Sequence, residues 1–256
     1  MIKLTGIADE AGASLDVQIK AHQQLGWDSI ECRGVELDGV KGNLHEIPDA
    51  LFDQVCDRLA ASNMKISGFG SLIGNWAKKI TDDFSITEAE ISRAIPRMQR
   101  LGAKLIRVMS YAVCKDEGGK DLEEQFAPER IKRMIEINKR FADAGLTVVH
   151  ENCMNWGGMS PSYVKRMAEA VPGMKWVFDT GNPVFIDDRD KPGHKQDAWE
   201  MYQAVKPFMA HVHVKDGIWD KTKNDAVYTF PGEGEGQTER IMKDLVDTGY
   251  DGYISI

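Results

Sequence analysis

Short apolar segments alternate with amphipathic segments along the whole chain. The apolar segments are often rich in Ile and Val, which is typical of strands covered on both faces of a sheet. Eight of them are predicted strands: Leu4–Ala8, Ser29–Arg33, Lys65–Phe69, Leu105–Ser110, Thr147–Glu151, Lys175–Asp179, Met209–Lys215 and Gly252–Ile256.

The segments between these strands carry apolar residues spaced three and four apart, which predicts helices with one buried face. The clearest stripes are Leu51, Phe52, Val55, Cys56 and Leu59; Ile131, Met134, Ile135 and Phe141; and Ile241, Met242, Leu245 and Val246. Predicted helix ends coincide with glycines before the next strand, namely Gly26, Gly102, Gly145 and Gly249. Ser160 is a predicted helix cap, with Pro161 at the first helical position.

Eight strands alternating with helices predict a parallel sheet with right-handed crossovers. The turn after the first strand, Asp9-Glu10-Ala11-Gly12-Ala13, lacks the GxGxxG pattern of a doubly wound nucleotide-binding sheet. The length of 256 residues also suits one closed barrel, which typically has about 250. We therefore predict a single (β/α)8 TIM barrel domain spanning residues 1–256.

The last predicted strand ends at Ile256, so the eighth helix of the barrel is missing from this sequence. Without a covering helix, we expect an apolar face of the barrel to be exposed there. We also expect the natural chain to continue beyond Ile256.

The composition argues against several classes of protein. A net charge of −8 and the absence of a Lys/Arg cluster disfavour a nucleic-acid partner, which needs a basic surface. No apolar stretch approaches the roughly 20 residues that span a bilayer, and the N-terminus lacks a secretory signal. The four cysteines are widely spaced without a CxxC pair, which indicates reduced thiols. We predict a cytoplasmic protein without a membrane partner.

Polar residues cluster where the fifth, sixth and seventh predicted strands end, which is the active-site end of a TIM barrel. The three strand ends are His150-Glu151-Asn152, Phe178-Asp179-Thr180-Gly181-Asn182 and His211-Val212-His213-Val214-Lys215-Asp216. Because side chains alternate along a strand, His211, His213 and Lys215 share one face. Two carboxylates and an imidazole on neighbouring strands suit a catalytic site for Mn²⁺, Co²⁺, Mg²⁺ or Zn²⁺. Taken singly, each of these residues could instead cap a helix or pack in the core.

These segments resemble the xylose-isomerase-like sugar isomerase/epimerase superfamily, which includes D-tagatose 3-epimerase and hydroxypyruvate isomerase. The resemblance rests on the ends of the sixth and seventh predicted strands and on three further segments. These segments are Val149-His150-Glu151-Asn152, Pro231-Gly232-Glu233-Gly234-Glu235-Gly236 and Gly249-Tyr250-Asp251-Gly252-Tyr253-Ile254-Ser255-Ile256. It extends over nearly the whole chain, from Thr5-Gly6-Ile7-Ala8-Asp9-Glu10 onward. The motifs are specific for the superfamily and say little about the substrate.

The resemblance implies one divalent metal ion held by Glu, Asp, His and a second Glu on the fifth to eighth strands. Glu151, Asp179 and His213 match the first three positions, because the family's His ligand lies two residues before a Lys-Asp-like pair. His211 then lines the wall of the site or supports a ligand. We expect the second Glu to follow Ile256 in the natural chain.

The implied reaction is the isomerisation or epimerisation of a small ketose or related sugar. A metal ion that bridges a carbonyl and its neighbouring hydroxyl stabilises the enediolate formed when the carbon loses its proton. One carboxylate removes that proton and another returns it. We predict that Glu151 is one of these two catalytic groups.

Further polar residues at the predicted mouth are candidate substrate contacts. Asn182 stands where several relatives carry a substrate-binding His, so it can donate a hydrogen bond but cannot become a cation. Lys215 and Asp216 cap the seventh predicted strand at the mouth, and Arg33 and Glu10 end the second and first strands. The alternative for these residues is a network of ion pairs or hydrogen bonds that lines the mouth.

Two other features leave the substrate partly open. Trp156 either stacks on a sugar face or packs over the barrel rim. The run Gly232–Gly236 contains two Glu residues that would repel phosphate, so we predict a turn there and favour a neutral sugar over a sugar phosphate. Relatives are commonly dimers or tetramers, which leaves a homo-oligomer open.

Three other functions remain as alternatives. A lyase could use the same metal-assisted proton removal to eliminate a leaving group from a keto-sugar or 3-keto-glycoside. A non-catalytic sugar-binding barrel would fit an incomplete metal site. An AP-endonuclease-like nuclease shares the barrel, but its multinuclear zinc site needs many histidines and this chain has six, with His22 and His45 away from the strand ends.

Overall fold

Eight parallel strands form the centre of the fold and confirm the predicted barrel. The structure is a computed structural model, and it describes residues 1–122 and 125–256. The described residues form the barrel strands and two additional pairs of strands, β3 with β4 and β10 with β11. In chain order the strands are β1 (Lys3–Thr5), β2 (Ser29–Cys32), β3 (Gly34–Leu37), β4 (Val40–Asn43), β5 (Lys65–Gly70), β6 (Leu105–Val108), β7 (Thr147–Glu151), β8 (Lys175–Asp179), β9 (Met209–His213), β10 (Asp216–Asp220), β11 (Asp225–Thr229) and β12 (Tyr253–Ser255). The barrel sheet has the order β1-β12-β9-β8-β7-β6-β5-β2.

The barrel is nearly closed between β1 and β2. The backbone N–H of Glu31 donates to the carbonyl of Gly6 at 2.9 Å. The Thr5 hydroxyl donates to the carbonyl of Ser29 at 2.8 Å. These two bonds bring the strand that carries Glu31 next to the strand that starts the chain, so only β1 and β12 separate β2 from β9 around the barrel.

Two antiparallel hairpins extend the loops at the carboxyl ends of the barrel strands. β3 pairs with β4 directly after β2, and β10 pairs with β11 three residues after β9. Neither hairpin was predicted, because their strands are only four or five residues long and mix polar with apolar residues. The predicted strand Met209–Lys215 is too long by two residues for the same reason, since the chain turns into the second hairpin after His213.

Helices cover the outside of the barrel between the strands. They are α1 (Leu15–Gln24), α2 (Asp49–Ala61), α3 (Phe84–Leu101), α4 (Ala127–Asp143), α5 (Pro161–Ala170), α6 (Asn182–Phe185), α7 (Ala198–Val205) and α8 (Thr238–Asp247). Short 3₁₀ turns span Ala8–Glu10, Trp156–Gly158 and Lys206–Phe208. The predicted stripes are largely buried, but Ile135 and Val246 are exposed, which corrects their assignment; Ile137 takes the buried position on α4.

The predicted helix ends agree with the structure in most respects. Gly26, Gly102, Gly145 and Gly249 all adopt the left-handed conformation, with φ between 68° and 74°. Ser160 precedes α5 as expected, yet its hydroxyl donates to Asp188 at 2.8 Å and does not cap the helix.

One apolar side chain of the first barrel strand is exposed. Leu4 on β1 is 46% exposed. All four cysteines lie in the described part of the chain and none is paired. Within residues 1–122 and 125–256, no helix is both long enough and apolar enough to cross a membrane.

Candidate metal centre

Three strands of the barrel bring Glu151, Asp179 and His213 together at its mouth. Glu151 and Asp179 are the last residues of β7 and β8, and His213 is the last residue of β9. One ligand atom from each residue lies within 4.8 Å of the other two. All three side chains are at most about 5% exposed. The parallel register therefore turns three distant segments of sequence into one compact group of donors.

The turn after β8 fixes the carboxylate of Asp179. Its Oδ1 accepts hydrogen bonds from the backbone N–H groups of Gly181 and Asn182, at 2.9 and 2.8 Å. The side chain of Asn152 bonds both the backbone N–H and the carbonyl of Asp179, at 2.7 and 3.0 Å. Because Oδ1 is held by the turn, Oδ2 is the oxygen that remains directed at the site.

A buried arginine holds the carboxylate of Glu151. Arg107, in the middle of β6, donates to Glu151 Oε2 at 3.0 Å and to the carbonyl of Ser71 at 3.2 Å. The other oxygen, Oε1, lies 3.5 Å from His213 Nδ1 and accepts from Asn182 at 3.3 Å. Glu151 therefore presents Oε1 to the group of donors.

A second buried carboxylate contacts the opposite side of the His213 ring. His213 Nε2 lies 3.0 Å from both oxygens of Glu31. His211 Nε2 lies 2.7 Å from Glu31 Oε2, and the Ser255 hydroxyl donates to the same oxygen at 2.6 Å. Glu31, which ends the inward-facing part of β2, is only 3% exposed.

The charged groups in this region shift one another's pKa values. Burial would lower the pKa of His213, but the carboxylates of Glu31 and Glu151 outweigh it and raise that pKa to about 10. Burial would raise the pKa of Glu151, but Arg107 and His213 bring it well below its usual value. Burial and the neighbouring Glu151 raise the pKa of Asp179 despite Lys215. Glu151 is thus ionised at neutral pH.

Lys215 and Asn182 form the outer wall of the group. Lys215 Nζ lies 3.2 Å from Asp179 Oδ2 and donates to Asn182 Oδ1 at 2.7 Å. The Lys215 side chain is 34% exposed, whereas Asn182 is buried. Burial would lower the pKa of Lys215, but Asp179 and Glu151 raise it above its usual value, so it carries a positive charge.

The remaining predicted contacts are placed differently. Arg33 pairs with Asp9 at 2.9 Å and with Glu10 at 2.7 Å, which is the ion-pair network considered as the alternative for these residues. His211 lines the wall through its bonds to Glu31 and Ser255.

Asp216 does not face the site, which corrects its assignment as a substrate contact. Its carboxylate accepts from the backbone N–H groups of Gly217, Gly232, Gly234 and Gly236 and from the Thr238 hydroxyl, at 2.8 to 3.2 Å. The carboxylate therefore organises the glycine-rich turn, which does precede the last helix as predicted.

Trp156 is also unsuited to stack on a sugar. Its side chain is fully buried and packs edge-on against Tyr163, with ring centroids 5.4 Å apart. The packing alternative describes this residue, because no face of its ring is open to a ligand.

Two residues of the centre were missed in the sequence, Glu31 and Arg107. Both lie within barrel strands, whereas the candidates were taken from residues at and after the ends of the predicted strands. A charged residue within an apolar strand is itself a signal, since buried charges are normally paired.

The donors fit a divalent cation. His213 Nδ1 is buried and has no hydrogen-bond partner in the described part of the chain. It faces two carboxylates, and one nitrogen with two oxygens suits Mn²⁺, Co²⁺, Zn²⁺ or Mg²⁺. A cation would compete with the Lys215 ammonium for Asp179 Oδ2.

Two other groups of donors are less suited to a cation. In the first, made of Glu31, His211 and His213, the carboxylate already accepts from two imidazoles and a hydroxyl. In the second, made of His45, Glu46 and Glu90, the Lys78 ammonium lies 2.6 Å from a Glu90 oxygen.

The fold and the donors define a TIM barrel protein with a candidate metal centre at the carboxyl ends of its strands. The chain belongs to the xylose isomerase-like TIM barrel family, which it matches over residues 19–256. No curated protein matches it.

Several solved structures share the fold at low sequence identity. A xylose isomerase-like TIM barrel protein from Mycobacterium smegmatis, in complex with magnesium, is 17% identical, with a TM-score of 0.69 over 99% of this chain and 88% of its own. The probable 3-DHS dehydratase AsbF from Bacillus anthracis is 16% identical, with a TM-score of 0.72, and the match covers 100% of this chain and 92% of AsbF. D-Psicose 3-epimerase with D-tagatose from Clostridium cellulolyticum H10 is 17% identical, with a TM-score of 0.68, and the match covers 99% of this chain and 83% of the epimerase.

Proposed function

We propose that this protein is a divalent-metal-dependent isomerase or epimerase of a small sugar. The observation that carries the proposal is the buried convergence of Glu151, Asp179 and His213, with ligand atoms within 4.8 Å of one another. Relatives of the same fold support it: one is an epimerase with D-tagatose, one contains magnesium and one, IolI, contains zinc.

Glu151 is the proposed proton acceptor as well as a ligand. When bound, the cation would act as a Lewis acid at a carbonyl and its adjacent hydroxyl, which eases loss of a proton from carbon. Arg107 holds Glu151 Oε2 and leaves Oε1 directed into the site. The depressed pKa keeps this carboxylate unprotonated, so it can accept a proton, although a low pKa also makes it a weak base.

Lys215 and Asn182 are the proposed substrate contacts. The Lys215 ammonium is partly exposed at the mouth, where it can donate to a substrate oxygen and stabilise developing negative charge. Asn182 connects Lys215 to Glu151 and keeps both polar groups on one side of the mouth.

Solvent deuterium exchange into a panel of ketoses tests this proposal. We expect the wild type to incorporate deuterium and to convert one ketose into an isomer of the same mass. Chelator, Glu151→Gln and Asp179→Asn should each abolish exchange. Asp187→Asn is the matched control, because this exposed carboxylate pairs with Lys195 away from the centre. Exchange that persists after complete removal of metal would refute the proposal.

A lyase is the second candidate, because the probable dehydratase of Bacillus anthracis has the same fold. Both reactions begin with proton removal from carbon, and only the second step differs. Mass spectrometry of the product separates them, since a dehydratase product lacks one water and an epimerase product keeps its mass.

A further inference from the structure

Glu31 occupies an unusual position behind the candidate metal centre. Its carboxylate is buried inside the barrel, and its ion pairs among the described residues are with His211 and His213, at 2.7 and 3.0 Å. The two imidazole rings stand at 90° to each other, with centroids 5.1 Å apart. One carboxylate on β2 therefore contacts both histidines of β9 inside the barrel.

The hydrogen-bond chemistry of this contact determines which nitrogen of His213 is free. An ionised carboxylate only accepts hydrogen bonds, so His213 must donate to it through Nε2–H. A cation binds the neutral form of this imidazole, in which the other nitrogen, Nδ1, carries the lone pair. Nδ1 is the nitrogen that lies 3.5 Å from Glu151 Oε1 and has no hydrogen-bond partner among the described residues.

We propose that Glu31 is the positioning residue of the metal centre, holding His213 as the Nε2–H tautomer with Nδ1 directed at Glu151 and Asp179. The inference rests on the proposed metal-dependent function. Carboxylates that orient metal-binding histidines in this way typically strengthen metal affinity by about 10- to 100-fold.

Glu31 is not itself a ligand in this proposal. Its oxygens accept from two imidazoles and from the Ser255 hydroxyl, at 2.6 to 3.0 Å. A cation at Glu31 would have to displace these donors. On the Glu151 side, His213 Nδ1 has no hydrogen bond to lose within residues 1–122 and 125–256.

Titration of the purified, chelator-treated protein with Co²⁺, followed by its visible absorption and by calorimetry, tests the inference. Glu31→Gln keeps the size of the side chain, but its amide can donate as well as accept and so does not fix the tautomer. We expect Glu31→Gln to bind Co²⁺ about 10- to 100-fold more weakly and to change the spectrum of the bound ion. Glu31→Asp keeps the charge and should lose less affinity than Glu31→Gln.

Ser255→Ala is the matched control, because it removes one hydrogen bond to Glu31 Oε2 without touching His213. We expect it to change Co²⁺ affinity by less than threefold. Thermal unfolding of each metal-free variant shows whether the barrel still folds. An equal loss of affinity in Ser255→Ala and Glu31→Gln would overturn the inference, since general disruption of the buried network would then explain both.

Long-range ¹⁵N–¹H spectra of histidine in the Zn²⁺-loaded protein give a readout that is independent of affinity and activity. His213→Gln identifies the signals of this ring. We expect a proton on Nε2 in the wild type and either a proton on Nδ1 or a mixture in Glu31→Gln.

The outcomes separate this inference from the proposed function. If the wild type binds metal and Glu31→Gln has the same affinity and the same His213 tautomer, the positioning role is overturned. The metal centre then remains supported. Binding that is abolished in Glu31→Gln but survives in Glu151→Gln makes Glu31 a ligand and also overturns the inference. A wild type that binds neither Co²⁺ nor Zn²⁺ refutes the metal centre and the inference together.

Discussion

Two pairs of buried charges at the candidate metal centre join different strands. Arg107 on β6 pairs with Glu151 on β7, with both side chains at most 10% exposed. Glu31 on β2 pairs with the two histidines of β9. Removing one member of such a pair leaves a charge without compensation in a region of low dielectric, which destabilises the fold more than the pair itself stabilises it.

A double-mutant cycle tests the pair of Arg107 and Glu151. We expect Arg107→Met to lower the free energy of unfolding by about 3–5 kcal/mol in the metal-free protein, because Glu151 loses its main cation. Arg107→Met/Glu151→Gln should recover part of that loss. Urea unfolding measures each variant. Purely additive losses would contradict the coupling, and Arg58→Met, at an exposed pair with Asp16, should have little effect.

His45 predicts how stability depends on pH. Burial, together with Lys78, Arg93 and Arg97, lowers its pKa to about 3. Between about pH 6.5 and pH 3 the unfolded chain binds a proton at this site and the folded chain does not, so acidification destabilises the fold.

His45→Gln should remove this contribution while keeping a donor for Asn43, whose Oδ1 lies 2.5 Å from His45 Nδ1. We expect the stability of the wild type to fall relative to the variant by about 1.4 kcal/mol per pH unit below pH 6.5. Urea unfolding at pH 7, 6 and 5 measures the difference. Parallel pH profiles would contradict the assignment.

The sequence was informative for some residues of the centre and silent for others. Glu151, Asp179 and His213 end apolar strands, where a barrel exposes polar side chains to its mouth, and the structure brings them together. The partner of Glu31 could not be inferred, because His211 lies 180 positions away and only closure of the barrel joins them. The role of Trp156 also depended on burial, because a tryptophan side chain suits a sugar contact and packing at the rim equally well.

At the scale of elements, the strands and helices follow from hydrophobic periodicity, whereas the loops do not. Thr147–Glu151 and Lys175–Asp179 were predicted with the observed bounds. The two hairpins were missed because tertiary contacts at the mouth stabilise them. The second hairpin meets the glycine-rich turn at Asp216, and a Cβ on Gly234 would lie 2.3 Å from Asp216 Oδ1.

Asp216→Asn tests whether this carboxylate holds the turn. The amide can accept through one oxygen only, so some of the four backbone N–H groups lose their partner. We expect a loss of about 1–3 kcal/mol in the free energy of unfolding and faster hydrogen exchange over residues 230–237. Unchanged exchange in this segment would contradict the role. Asp220→Asn, in the same hairpin, is the control.

At the scale of the whole molecule, the parallel barrel places the carboxyl ends of all its strands on one side. This topology explains why the residues at positions 31, 107, 151, 179 and 213 meet although the sequence separates them widely. The alternation of strands and helices was enough to predict the barrel, because few arrangements bury eight two-sided strands. The same alternation could not predict the hydrogen-bond partners in the barrel interior, because they depend on closure of the barrel between the first and second strands.

The central claim is that Glu151, Asp179 and His213 bind one divalent cation. Anomalous diffraction from crystals grown with Mn²⁺, Co²⁺ or Zn²⁺ tests it most directly. We expect one strong anomalous peak from a cation bound to all three residues, at about 2.0–2.3 Å from their ligand atoms. A crystal with no peak at this position, or with the cation at His45 and Glu90 instead, would contradict it.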